Sequence, residues 1–134
     1  MQFDPRLREK HGGIMQGEPL NNFKKAADEA GAPIRDFSAP DGESWKDVNA
    51  RARDFIVNDI ISKNFRVNGN TEAPTGTFQF LVITHGGFIM EFTNAFRWLA
   101  DPSFVDKFNN NSRNCSISIF NIKQDLAANE PEKL

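Results

Sequence analysis

Apolar positions fall into two different periods along this chain. Between residues 44 and 64, Val48, Ala52, Phe55, Ile56 and Ile60 recur at the three-to-four spacing of one helix face. Ser44 stands in front of them as a good N-cap, and Asp47 three residues on completes a capping-box-like arrangement. This helix is expected to end near Lys63–Asn64. Leu20, Phe23, Ala27 and Ala30 predict a shorter helix over 19–30, with Gly31 as its stop. Phe88, Ile89, Phe92, Phe96 and Leu99 predict a third. The other period is that of strands. Phe78 to Thr84 reads FQFLVIT, a nearly continuous apolar run that suits a strand buried on both faces of a parallel sheet. Ser116 to Ile122 alternates like a strand. Residues 1–17, 31–42, 66–76 and 109–114 read as loops, and the polar stretch 124–134 as a tail behind one domain, 1–123.

The order helix, strand, helix, strand predicts an α/β domain. Two strands are too few to close a sheet. The expected architecture is therefore three layers with a mostly parallel sheet, lacking its N-terminal strand or strands. Composition leaves this unchanged: 39% hydrophobic and 25% charged residues in 134 is a globular balance. A formal net charge of −2 argues against nucleic acid or an anionic membrane surface as partner. No apolar run reaches the length of a membrane span, and Met1 to Pro5 does not read as a signal peptide. Cys115 is the single cysteine, so a reducing, cytoplasmic setting is the default expectation. No metal or other cofactor is expected.

Chemistry is suggested at two places. Thr84-His85-Gly86-Gly87 lies between the apolar run and the third helix. A helix N-terminus directs free N–H groups and the positive end of its dipole at a ligand, two glycines allow close backbone approach, and a histidine there donates to a phosphate oxygen or exchanges a proton near neutral pH. The bland alternative is a histidine that merely caps a helix. The second place is Arg8-Glu9-Lys10-His11. A carboxylate beside cations stays ionised unless burial or a bound anion raises its pKa, so by itself this run reads as a solvated charge cluster.

Four stretches in order alter the balance: Leu7-Arg8-Glu9 with Gly13 and Gly17, Pro40-Asp41-Gly42-Glu43-Ser44, Leu81-Val82-Ile83-Thr84-His85-Gly86, and Asn114-Cys115-Ser116-Ile117-Ser118. Over about residues 6–122 they resemble histidine phosphatases of the phosphoglycerate-mutase-like superfamily, most nearly the TIGAR-type fructose-2,6-bisphosphatases. The resemblance implies a phosphomonoester or sugar-bisphosphate phosphatase acting through a phosphohistidine. It implies Glu9 as general acid/base, His85 as second pocket histidine, and phosphate binding by His85, Gly86 and Gly87. The family's R-H-G segment, with its nucleophilic histidine and phosphate-binding arginines, has no counterpart before Leu7. Lys10-His11-Gly12 mimics it only superficially, because Phe3 to Lys10 is charged and contains Pro5. Met90 and Glu91 depart from the pattern and are expected to weaken binding of a polyanion. An inactive chain is therefore expected, with a non-catalytic, regulatory product as the alternative. A phosphorylated small molecule is the expected ligand, and dependence on a protein partner for stability is expected from the incomplete sheet.

Overall fold

The computed structural model describes residues 2–64, 78–105 and 117–123. Its regular elements are helical: α1 (Leu20–Glu29), α2 (Trp45–Phe55), α3 (Ser62–Asn64) and α4 (Gly86–Ala100). A π-helical stretch, Ile56–Ile61, joins α2 to α3. Short 3₁₀ turns occupy Pro5–Leu7 and Gly13–Met15.

The helices arise for the reasons their sequences suggest. Ser44 Oγ accepts from Asp47 N, and the Asp47 carboxylate accepts from Ser44 N at 2.8 Å, so both halves of the capping box are closed. Gly31, at φ +65°, ends α1 one residue after its C-cap. The π stretch departs from the single continuous helix expected to run to Lys63–Asn64. It leaves Ile56 and Ile60 buried, so the apolar stripe runs through it without a break.

α2 packs against α4, and their interface is the core. Val48, Ala52, Ile56 and Ile60 meet Phe88, Phe92 and Ala95, all buried. A chain of rings extends it: Phe88 to Phe92 at 5.6 Å, Phe92 to Phe96 at 5.0 Å, and Phe96 stacked on Phe120 at 4.8 Å between centroids. Phe120 and Ile122 thus lean on the core while Ile117 and Ile119 point outward.

The expected three-layer α/β fold with a parallel sheet is overturned: the described residues contain no strand. Phe78–Thr84 and 117–123 are without regular structure, and Leu81 and Ile83 are exposed at 88% and 80%. The physical reason is that a strand is a property of a pair. Apolar, β-branched composition favours extended backbone, but only a neighbouring ladder makes it a sheet. The expected loops at 66–76 and 109–114, and the tail 124–134, lie outside the described residues, as does Cys115. No described helix is long and apolar enough to cross a membrane.

Candidate active site

Glu9 and the His85-Gly86-Gly87 turn come together in space. The Gly87 N–H donates to Glu9 Oε2 at 3.2 Å, and the Lys10 N–H donates to Oε1 at 2.8 Å. The Glu9 carboxylate therefore sits on one of the free N–H groups at the start of α4, where the helix dipole favours negative charge. His85 is the N-cap of α4, exposed, and makes no side-chain capping bond. The bland reading of His85 as a helix-capping side chain is thus not what the structure has. Gly87 is glycine for a steric reason: a Cβ there would stand 2.5 Å from Glu9 Oε1 and 2.7 Å from the Trp45 ring.

Two residues that carry no role in the sequence reading hold Glu9 in place. Arg51, on α2, donates to the carbonyl oxygens of Arg6, Arg8 and Glu9. One guanidinium, with its five N–H donors, thus clamps the whole 6–9 segment. Glu43 orients Arg51 through Oε1 at 3.1 Å and also accepts from Arg8 and from the His11 N–H. Thr84 Oγ1 donates to Leu7 O, tying the same segment to the turn before α4. A signal for Arg51 was present in the sequence: it lies three residues after Val48 and one before Ala52, on an otherwise apolar stripe. A cation there needs a partner, and Glu43 sits in a quoted motif.

The two glycine-bearing motifs interlock. Ile14 N donates to Pro40 O and Glu43 N donates to His11 O, at 3.0 and 2.9 Å. Gly13 adopts φ +59°, and a Cβ on it would fall 2.1 Å from Pro40 O. His11 Nδ1 lies 3.0 Å from Asp41 O and 3.2 Å from Gly13 N, so its ring is engaged with this loop.

Met90 and Glu91, the departures at the start of α4, both lie in the interior. Met90 is buried at 7% exposure. Glu91 is fully buried and bidentately paired with Arg35, at 2.7 and 2.9 Å, with Asn49 Nδ2 3.0 Å from Oε2. Its charge is neutralised locally.

Beside Glu9 opens a cleft of about 240 Å³. Lys10, Phe23, Ile34, Phe37 and Trp45 line it together with Glu9. Burial pushes the Lys10 ammonium down from its ordinary value, while the carboxylates of Glu43, Asp47 and Glu9 pull the other way.

Several carboxylates of this framework are held acidic. Burial pushes Glu43 up, but the His11 N–H and the Arg51 and Arg8 guanidinium groups prevail and hold it below its ordinary 4.5. The Ser44 N–H and hydroxyl hold Asp47 below 3.8. A carboxylate more acidic folded than unfolded adds stability that is complete above its unfolded value and is lost as pH falls through its folded value. The melting temperature is thus expected to be level from pH 7 to about 5, then to fall. In Glu43→Gln the fall should be shallower. An equally steep fall in that variant would show that Glu43 is not responsible.

Comparison with known proteins gives this arrangement a context. The family profile described as histidine phosphatase superfamily (branch 1) matches residues 1–129. A Xenopus laevis fructose-2,6-bisphosphatase TIGAR is 40% identical over 56 residues, 42% of this chain and 20% of the relative. A probable fructose-2,6-bisphosphatase TIGAR A from Danio rerio is 31% identical over 107 residues, covering 64% of this chain and 42% of the relative. The Mus musculus fructose-2,6-bisphosphatase TIGAR is 36% identical over 56 residues, 42% of this chain and 21% of its own length. The matched portions thus span between 20% and 42% of these relatives.

Proposed function

We propose, for a chain that belongs to the histidine phosphatase superfamily, that residues 84–87 and Glu9 form the phosphoryl-binding half of a phosphomonoesterase site. A sugar bisphosphate is the foremost substrate class, by analogy with the names of the similar proteins. The observation that carries the reading is the Gly87 N–H on the Glu9 carboxylate. A proton donor to the leaving oxygen has to lie within hydrogen-bond reach of the phosphoryl group, and a phosphoryl group bound at the start of α4 would be adjacent to Glu9. In this reading the phosphoryl oxygens take the N–H groups of Gly86 and Gly87, and His85 donates from its exposed ring. Glu9, within reach of the leaving oxygen, supplies the proton. The covalent step of the family splits one difficult displacement into two through a phosphohistidine.

The non-catalytic reading has its own supporting observation. In the structure the chain's own carboxylate occupies the Gly87 N–H, so an incoming phosphate has to displace Glu9. Both readings require an anion at the same place, and titration with inorganic phosphate followed by amide NMR tests it. The Gly86 and Gly87 amides are expected to shift, and more strongly in Glu9→Gln, where the competing charge is gone. Movement of other amides with these two unshifted would remove the assignment. Binding is expected to be weak, because the contacts are backbone N–H groups and one histidine without a guanidinium pair.

A further inference from the structure

Lys46, Asn49, Ala50 and Arg53 fall on one side of α2, at the helical spacing of neighbours, and together line a second cleft of about 410 Å³. None of them belongs to the site built on Glu9 and the start of α4. Most charges around this cleft are already matched. Lys46 Nζ is bonded to Asp36 at 2.9 Å, and Glu91, which accepts from Asn49, is closed by Arg35. Arg53 is left over. Among the described residues it makes no hydrogen bond or ion pair, and its Nε is buried without a hydrogen-bond partner. By contrast Arg6, Arg8, Arg35 and Arg51 each donate to a carboxylate.

What positions Arg53 is an aromatic ring. Its guanidinium carbon lies over Trp98 of α4, 3.9 Å from the ring centroid, so the side chain reaches from one helix to the other. The ring attracts the charge, but it does not satisfy five N–H donors as oxygen lone pairs would. A helix end does not account for the cation either. Arg53 stands in the last turn of α2, yet the Ile56 N–H bonds to the carbonyls of Ala52 and Arg53, and the winding continues to Asn64. The negative end of the dipole therefore lies well beyond it. A donor deprived of both water and a partner costs free energy, and an oxyanion beside it would offset that cost. A guanidinium offers its N–H groups in a planar fork that fits the two oxygens of a carboxylate or phosphate.

We infer that the groove between α2 and α4 holds a second anion site, built on Arg53 and backed by Trp98, that takes the oxyanion of a small carboxylate- or phosphate-bearing molecule. Two of its oxygens meet the guanidinium fork. Lys46 adds a second positive charge on the same helix face, since its bond to Asp36 joins two exposed groups and exchanges readily. Neither Glu9 nor the start of α4 takes part, so this site stands or falls separately from the phosphoryl site.

The chain's two tryptophans act as separate reporters, Trp45 beside Gly87 and Trp98 beneath Arg53. NMR signals of the Trp98 indole N–H and the Arg53 Nε–H are followed while the unaltered chain is titrated with acetate, with inorganic phosphate, and with chloride at the same ionic strength. Acetate or phosphate is expected to shift both signals saturably, and chloride, which has no pair of oxygens, is not. Tighter binding of acetate assigns the site to carboxylates, and tighter binding of phosphate assigns it to phosphoryl groups. Arg53→Gln should weaken the tighter of the two about tenfold, the order that one charge-assisted hydrogen bond supports. Arg53→Lys, which keeps the charge without the fork, should recover only part of this. Thermal melts establish that both variants fold, and the Gly86 and Gly87 amides should respond to phosphate alike in all three chains. Arg53 and Trp98 signals that drift without saturation in every salt of the unaltered chain would overturn the inference. So would a Trp98 response that saturates equally in Arg53→Gln.

Discussion

A polypeptide of residues 1–134 is expected to release no detectable phosphate from an aryl phosphate or a sugar bisphosphate, on the order of 10⁶-fold below a phosphatase whose nucleophile is in place. The reason is compositional. The chain has two histidines. His85 occupies the helix-turn position, where the proposed task is to bind the phosphoryl group. His11 lies in the loop where Gly13 and Gly42 interlock, and the contact of its Nδ1 with Asp41 O at 3.0 Å leaves Nε2 as the nitrogen that would have to attack. A nucleophile needs a ring nitrogen free and in line with the leaving oxygen, within about 3–3.5 Å of phosphorus. Nothing in residues 1–134 reads as the R-H-G stretch that does this in the family. Phosphate release is measured for the chain and for its His11→Ala and His85→Ala variants. Robust turnover that disappears in both would sink this expectation and make His11 the nucleophile.

The second large effect concerns the pair Arg35–Glu91. Arg35→Ala is expected to cost about 3–5 kcal/mol, because it leaves a charge uncompensated in the interior. Glu91 is 0% exposed, and its oxygens are held by Arg35 and Asn49. Domains of this size are stable by only about 5–15 kcal/mol, so the loss would approach the whole margin. Replacing both partners by methionine should cost much less than Arg35→Ala alone, since desolvation of the carboxylate is then no longer required. Denaturant unfolding of the two variants against the parent decides the matter. A single variant destabilised by less than about 1 kcal/mol, the range of an exposed pair, would mean that Glu91 is not buried as described. The pair also joins the Ile34–Phe37 wall of the cleft to α4, so the same variant should disturb ligand binding.

Helical structure was legible in the chain because its determinants are local. Ser44 and Asp47 are three residues apart, and their reciprocal bonds form from that spacing alone. The stripe Val48, Ala52, Ile56, Ile60 needs only the helical period to lie on one face, and that face is the core. The strands were not legible in the same way. Phe78–Thr84 has the composition of a buried strand, yet Leu81 and Ile83 point outward and the backbone forms no ladder among the described residues. Strand formation depends on a partner remote in sequence, so composition sets a preference that only pairing can realise.

The candidate site divides along the same line. Residue types and spacing singled out the His85-Gly86-Gly87 turn, because a helix N-terminus with glycines is a local motif, whereas Glu9 stood in a run that reads by itself as a solvated charge cluster and was marked only by the family resemblance. Their meeting across 78 residues, through the Gly87 N–H and Glu9 Oε2, was decided by tertiary structure. So were the Arg51 clamp on the carbonyls of residues 6, 8 and 9, and the withdrawal of Glu91 into a pair with Arg35. Hydrogen bonds and desolvation act over a few ångströms of space irrespective of separation along the chain. A sequence lists the donors and acceptors, and folding alone determines which of them meet.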